Sequence, residues 1–220
     1  MIIVIQCAAK KNPSAGTLYS VEGRPVVFVA DPESAPNDSY VLYARPDDPY
    51  DDTLSWRDVL WRYNELNHGN PRNLLPAYLL YENKAYGRLV DRFGVENVYV
   101  LSAGWGLIRA DFLTPSYDIT FSQSAVDYAR RRASDSYRDF CMVPAQGDEE
   151  IVFLGGKDYL PLFTRLTRAL PQQKTVFFNS SRQPDLPGFT TVRFDTNTRT
   201  NWHYECANAL LNGSILPRRE

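Results

Sequence analysis

Histidine and cysteine are scarce in this chain, and their scarcity removes whole classes of chemistry. The two histidines, His68 and His203, sit at no metal-ligand spacing, so no structural zinc site is expected. The three cysteines, Cys7, Cys141 and Cys206, are far apart and form no CxxC pair. So sparse and odd a set predicts reduced thiols and a cytoplasmic setting. A Gly-x-Ser-x-Gly elbow is missing, which leaves no serine-hydrolase order to defend. Lys10-Lys11-Asn12-Pro13-Ser14 lacks the spacing of a phosphate-binding P-loop. An excess of positive charge is also missing. With 24 basic and 26 acidic residues the net charge is −2, so no global field draws the chain to nucleic acid or anionic lipid. Long apolar runs are absent too. Ile2-Ile3-Val4-Ile5 is too short for a signal peptide or a membrane span, and no membrane partner is expected. No motif calls for a cofactor.

What is present suits a packed core. The chain has 220 residues, of which 44% are hydrophobic and 23% charged. These values favour one α/β domain over residues 1–220. Short continuous apolar runs mark strands covered on both faces, as in a parallel sheet. Such runs are Ile2 to Ile5, Asn97 to Leu101, Ile151 to Leu154, Thr175 to Phe178 and Thr191 to Phe194. Helical patterns fall between them. One is capped by Thr53 or Ser55 and runs through Tyr63. A second spans Tyr78 to Phe93, with Gly94 as its stop. A polar, Arg-rich third spans Ser122 to Tyr137. A fourth carries Tyr159 to Leu170 on one face, and a last runs from Trp202 to Gly213. Strand and helix alternating in this way predict a mostly parallel sheet with helices on both faces. Residues 20–70 read as an insertion. Its part at 20–52, with the β-prone runs Val26 to Ala30 and Tyr40 to Ala44, is expected to form a hairpin on the main sheet.

In open α/β sheets, ligands sit at the carboxyl ends of strands near a switch in strand order. Four expected strands end in polar or glycine-rich loops: Cys7 to Lys11, Ser102 to Gly106, Gly155 to Tyr159, and Asn179 to Arg182. A parallel sheet places all four on one edge. Lys10 and Lys11 suit a phosphate or carboxylate. Gly155-Gly156 lets a backbone approach a ligand or opens a helix N-terminus to an anion. Trp105 offers a stacking face, Asn179 a base-reading amide, and Asp118 an acid/base or a partner for Lys10. Each has a plainer reading. Cys7 is a small core residue, the lysines are solvated, Gly155-Gly156 is a tight turn, Trp105 caps the core, and Asp118 belongs to a turn. His203 reads as structural. Arg130-Arg131-Arg132 reads as a solvated helix face, with DNA phosphates as the alternative contact.

These residues also carry a resemblance. Cys7-Ala-Ala-Lys10-Lys11, Leu18-Tyr19, Leu101-Ser102-Ala103-Gly104-Trp105-Gly106-Leu107-Ile108 and Pro115-Ser-Tyr117-Asp118 resemble a bacterial and phage group of unknown function. That group carries a CSxKK start, an LY pair and an LSAKxGLL…PYD block, and is grouped loosely with the YaaA-like peroxide-stress proteins. The likeness covers residues 2–20 and 78–121, and is weaker at Gly155 to Tyr159. Gly104 stands where that group usually has lysine, Pro-Ser-Tyr-Asp replaces a tighter Pro-Tyr-Asp, and residues 20–70 look inserted. A more distant likeness links the cysteine–lysine start to archaeosine-synthase-like domains, whose core resembles uracil-DNA glycosylase. The resemblance implies a Rossmann-like or glycosylase-like fold and a nucleobase or nucleotide pocket.

The expectation is therefore a nucleotide- or nucleobase-binding protein with glycosidic-bond or base-modifying chemistry. Lys10 and Asp118 would be catalytic. Cys7, Lys11, Tyr19, Ser102, Gly104, Trp105, Gly106, Tyr117, Gly155, Gly156 and Asn179 would bind the ligand. The alternatives are a DNA-binding or stress-response module using Arg130 to Arg132, and an interaction module using the inserted segment.

Overall fold

The computed structural model describes residues 1–66, 69–132 and 134–215; His68 lies outside them. The first strand, β1 (Ile2–Gln6), is buried along its apolar length, as its unbroken run requires. The insertion supplies β2 (Val26–Val29) and β3 (Leu42–Ala44). Helix α1 (Trp56–Glu65) starts at Ser55, whose hydroxyl accepts from the Asp58 N–H while the Asp58 carboxylate accepts from the Ser55 N–H. This reciprocal cap satisfies two donors that a helix start leaves open. Then come β4 (Leu75–Pro76), α2 (Ala77–Leu80) and α3 (Ala85–Phe93). Strands β5 (Val98–Ser102), β6 (Gly106–Arg109), β7 (Leu113–Thr114), β8 (Tyr117–Asp118) and β9 (Phe140–Cys141) follow. The last third of the chain holds β10 (Ile151–Leu154), α4 (Leu160–Thr167), β11 (Lys174–Phe178), β12 (Thr190–Arg193) and α5 (Trp202–Leu211).

The main sheet has seven strands in the order β12-β11-β10-β1-β5-β6-β9. Five of them, β12 through β5, are parallel. In chain order these five read second-first-third-fourth-fifth from β5, so the direction of winding reverses at β1. Right-handed crossovers then put α3, between β1 and β5, and α4, between β10 and β11, on opposite faces. Helix α5 returns to pack on α3 and β10. The chain is α/β with a mostly parallel central sheet.

Three local expectations give way to tertiary contacts. First, β2 and β3 form no hairpin and do not join the main sheet. They run parallel to each other, and β2 pairs with β8 in a separate three-stranded sheet that sets Phe28 beside Tyr117 and Val29 beside Asp118. Second, the helix expected over 78–93 breaks into α2 and α3, because Tyr81 is extended and bridges to Lys11 while the Asn83 side chain accepts from the Ala85 N–H. Third, the helix expected over 122–137 does not form. Among the described residues of this stretch only the short turn Asp127–Ala129 is helical, and Arg130 bridges to Thr120 in an extended chain.

The reason for the third change is Arg131. Its guanidinium is buried against the fully buried carboxylate of Asp139, with bonds of 2.8 and 2.7 Å, and it also donates to the Ala103 carbonyl at 2.7 Å. Arg165 adds a second cation to Asp139. Arg57, held at 2.5 Å by Asp47, donates to the carbonyls of Trp105 and Gly104 at 2.9 and 3.0 Å. Two buried arginines thus hold three successive carbonyls of the turn between β5 and β6. The turn's N–H groups are also taken: Ala103 donates to Cys7 Sγ, and Gly104 and Trp105 donate to Ser102 Oγ. Gly106 closes the turn at φ 91°, where a Cβ would meet the Phe140 carbonyl oxygen at 2.5 Å.

Removing one partner from a buried ion pair leaves an uncompensated charge. Asp139→Ala is therefore expected to lower unfolding free energy by about 3–5 kcal/mol. Asp127→Ala, at the exposed Arg130 pair, should cost at most about 1 kcal/mol. Urea unfolding of the two variants checks this; equal losses would show that the Arg131 clamp contributes nothing special.

Candidate functional site

The reversal of winding leaves a crevice where β1 and β10 end side by side. The chain leaves β1 at Gln6-Cys7 and β10 at Gly155-Gly156, and the Gly156 N–H donates to Gln6 Oε1 at 2.6 Å. An inner cavity of about 300 Å³ has Cys7, Thr120, Tyr159, Arg199, Asn201 and His203 in its walls. An outer cavity of about 570 Å³ is bounded by Gly155, Lys157, Asn179, Ser180 and Arg182. Gly156, Asp158, Arg199 and Trp202 belong to both. Three of the four expected loops meet here. A separate cleft of about 360 Å³, walled by Trp61, Phe112, Phe140 and Cys141, lies at the β9 margin of the sheet, away from the parallel strand ends.

Behind the inner cavity lies a web of hydroxyls around one thiol. Cys7 Sγ is 3.2 Å from the Tyr159 hydroxyl and accepts the Ala103 N–H at 3.4 Å. Ser102 Oγ donates to the Tyr117 hydroxyl at 2.8 Å, which lies 2.8 Å from that of Tyr81. The Tyr86 hydroxyl donates to the Gln6 carbonyl at 2.8 Å and meets Tyr204 at 3.2 Å. Burial pushes the phenols of Tyr81, Tyr86, Tyr117 and Tyr159 well above their ordinary range, and the Cys7 sulfur adds to the effect. All four are therefore neutral near pH 7 and keep a proton to donate. Lys11 Nζ sits 4.3 Å from the centre of the Tyr117 ring. Burial lowers its pKa, while Cys7 and Asp118 act to raise it.

The structure separates the residues singled out from sequence. Lys10 is exposed and pairs with Glu82 at 2.6 Å, so it does not face Asp118. Its neighbour Lys11 does, beside the half-buried Asp118 of β8. Trp105 is fully buried between Phe28, at 5.0 Å, and the Arg57 guanidinium, so no ligand can stack on it. Gly104 and Gly106 are buried with their backbone groups committed, and Ser102 and Tyr117 are buried and bonded to each other. Tyr19 lies elsewhere, its ring covered by the Arg72 guanidinium at 4.6 Å. Cys7, Gly155, Gly156 and Asn179 do line the crevice. The arginine triplet splits: Arg131 is internal, Arg130 pairs with Asp127, and Arg132 is exposed. It forms no basic face.

Two wall residues escaped the sequence reading. Arg199 belongs to no motif, although the polar run Thr196 to Asn201 after the fifth parallel strand was a usable signal. His203 read as structural, yet its Nε2 is buried without a hydrogen-bond partner. Burial depresses its pKa from 6.5 to about 4, so the ring is neutral near pH 7. Among the described residues no cluster of His, Cys, Asp or Glu is placed to hold a metal, and no helix is long and apolar enough to cross a membrane. Scans against protein-family models, curated proteins and solved structures found no match to this chain.

A histidine with a lowered native pKa binds its proton more readily unfolded than folded. Stability from His203 is therefore complete above about pH 6.5 and is lost as pH falls toward 4. Relative to His203→Phe, the wild type should lose about 3 kcal/mol between about pH 7 and about pH 4. Chemical denaturation across that window reads the difference, and a flat difference would mean that the buried ring gains a proton freely.

Proposed function

We propose that this chain binds a nucleotide or nucleobase in the crevice at the carboxyl ends of β1, β10 and β11. The observation that carries the reading is the position of that crevice, at the reversal of strand order where open α/β sheets hold their ligands. Its walls fit a phosphorylated, partly planar molecule. Lys157, Arg182 and Arg199 border it, and among the described residues none of the three forms an ion pair. Asp158 and Asp185 are the carboxylates on the same walls, so cations are in excess. Helix α5 begins at the inner cavity, and its N-cap residue Asn201 makes no side-chain capping bond. Its first N–H groups favour an anion. The Asn179 amide holds the Thr198 carbonyl at 3.3 Å with its nitrogen and keeps its oxygen for a base edge. Trp202 and Phe178 give flat walls.

The arginine triplet offers little to duplex DNA, because its central member is internal. A small ligand is thus favoured over a nucleic-acid surface.

The test is a thermal-shift and calorimetric screen with nucleosides and their monophosphates. At least one should raise the melting temperature. Loss of a charge-assisted bond to phosphate costs about 1.5–3 kcal/mol, so Arg199→Gln should weaken that ligand by roughly ten- to a hundredfold. Arg130→Gln, outside the crevice, should leave it unchanged. Duplex DNA binding that weakens with Arg130→Gln, with no response to any nucleoside or nucleotide, would overturn the reading.

A further inference from the structure

The inner cavity holds more chemistry than binding requires. Its floor carries the Cys7 sulfur, fixed by the Ala103 N–H at 3.4 Å and the Tyr159 hydroxyl at 3.2 Å. Ala103 is itself immobilised, because its carbonyl is held by Arg131. Lys11 interacts electrostatically with Cys7 and packs on the Tyr117 ring, whose hydroxyl belongs to the same web. The same cavity is walled by His203, 3% exposed, whose Nε2 has no hydrogen-bond partner. A buried polar wall group left without a partner points to a missing ligand. Cys206 shows what an inert thiol looks like in this chain: it is fully buried, and apolar burial pushes it far up.

The geometry points to Cys7 as a nucleophile that attacks a ring carbon of the bound base, with Lys11 as its proton carrier. This rests on the nucleobase reading of the crevice for the identity of the carbon, though not for the reactivity of the thiol. A sulfur that faces a cavity, accepts an N–H and lies near a lysine has the surroundings of a reactive cysteine. Burial lowers the proton affinity of Lys11, while its charge interactions with Cys7 and Asp118 act to raise it.

The step balances with water as the only co-reactant. The thiol proton passes to the Lys11 amine. The sulfur electron pair forms a bond to an electrophilic sp² carbon of the base, one carrying a nitrogen or oxygen substituent. The bond from that carbon to the substituent breaks with its electron pair, and the substituent departs with the proton from Lys11. Water then hydrolyses the carbon–sulfur bond, leaving oxygen on carbon and the proton on sulfur. Ala103 and Tyr159 position the sulfur throughout.

The three cysteines of one folded chain provide the test. The native protein is treated with iodoacetamide, and separately with a chloropurine riboside, whose chloride leaves when a thiol attacks. Peptide mass spectrometry gives the rate at each cysteine. Cys7 should react with both at least about tenfold faster than Cys206. Lys11→Met should slow Cys7 by a similar factor while leaving the exposed Cys141 unchanged. A Cys7 rate no greater than that of Cys206 overturns the proposal, even if nucleosides raise the melting temperature. Selective alkylation by iodoacetamide with no preference for the riboside would keep Cys7 as a nucleophile and remove the nucleobase from the crevice. The wild-type comparison needs no variant, so misfolding of Lys11→Met does not blur the outcome.

Discussion

Three consecutive carbonyls held by two buried guanidinium groups fix the rest of this molecule's site. Arg57 and Arg131 come from distant parts of the chain and converge on Ala103, Gly104 and Trp105. Burying such charges is tolerable only because each guanidinium has a carboxylate and further acceptors at hydrogen-bond distance. The clamp leaves the turn no freedom. Its N–H groups are then aimed at Cys7 and Ser102, and Ser102 in turn holds Tyr117. The turn is thus held on both its carbonyl and its N–H side, and the Cys7 sulfur that accepts from Ala103 is fixed with it.

The parallel core was legible because of how its strands must be covered. Four or five apolar residues in a row leave no polar face, so Ile2 to Ile5 and Ile151 to Leu154 have to lie between helix layers. The polar loops at their ends followed from the same logic, and three of the four converge. The fourth, Ser102 to Gly106, has the pattern of a ligand loop because its glycines signal backbone freedom. That freedom serves a tight reversal into an antiparallel strand. No local pattern separates the two uses; distant Arg57 and Arg131 decide.

The misread side chains fail for equally physical reasons. Adjacent residues in an extended segment point opposite ways, so only one of Lys10 and Lys11 can turn inward. The bridge between Lys11 and Tyr81 settles which, and that pairing spans seventy positions of sequence. Arg130 to Arg132 looked like one solvated face because charge is normally left in water. The buried carboxylate of Asp139 reverses this for the central arginine and removes the helix with it. The role of β8 was hidden in the same way: its two residues are a strand only because the insertion supplies β2 beside them.

The two margins of the main sheet carry their own consequence. One is β12, whose Thr190 and Arg193 are exposed, with Arg193 paired to Asp195. The other is β9, only two residues long. An open sheet invites lateral joining wherever a long, flat, uncharged strand lies at its rim. Here one rim is charged and the other too short to template a neighbour. Neither margin of the seven-stranded sheet therefore presents the long, uncharged strand that edge-to-edge joining requires.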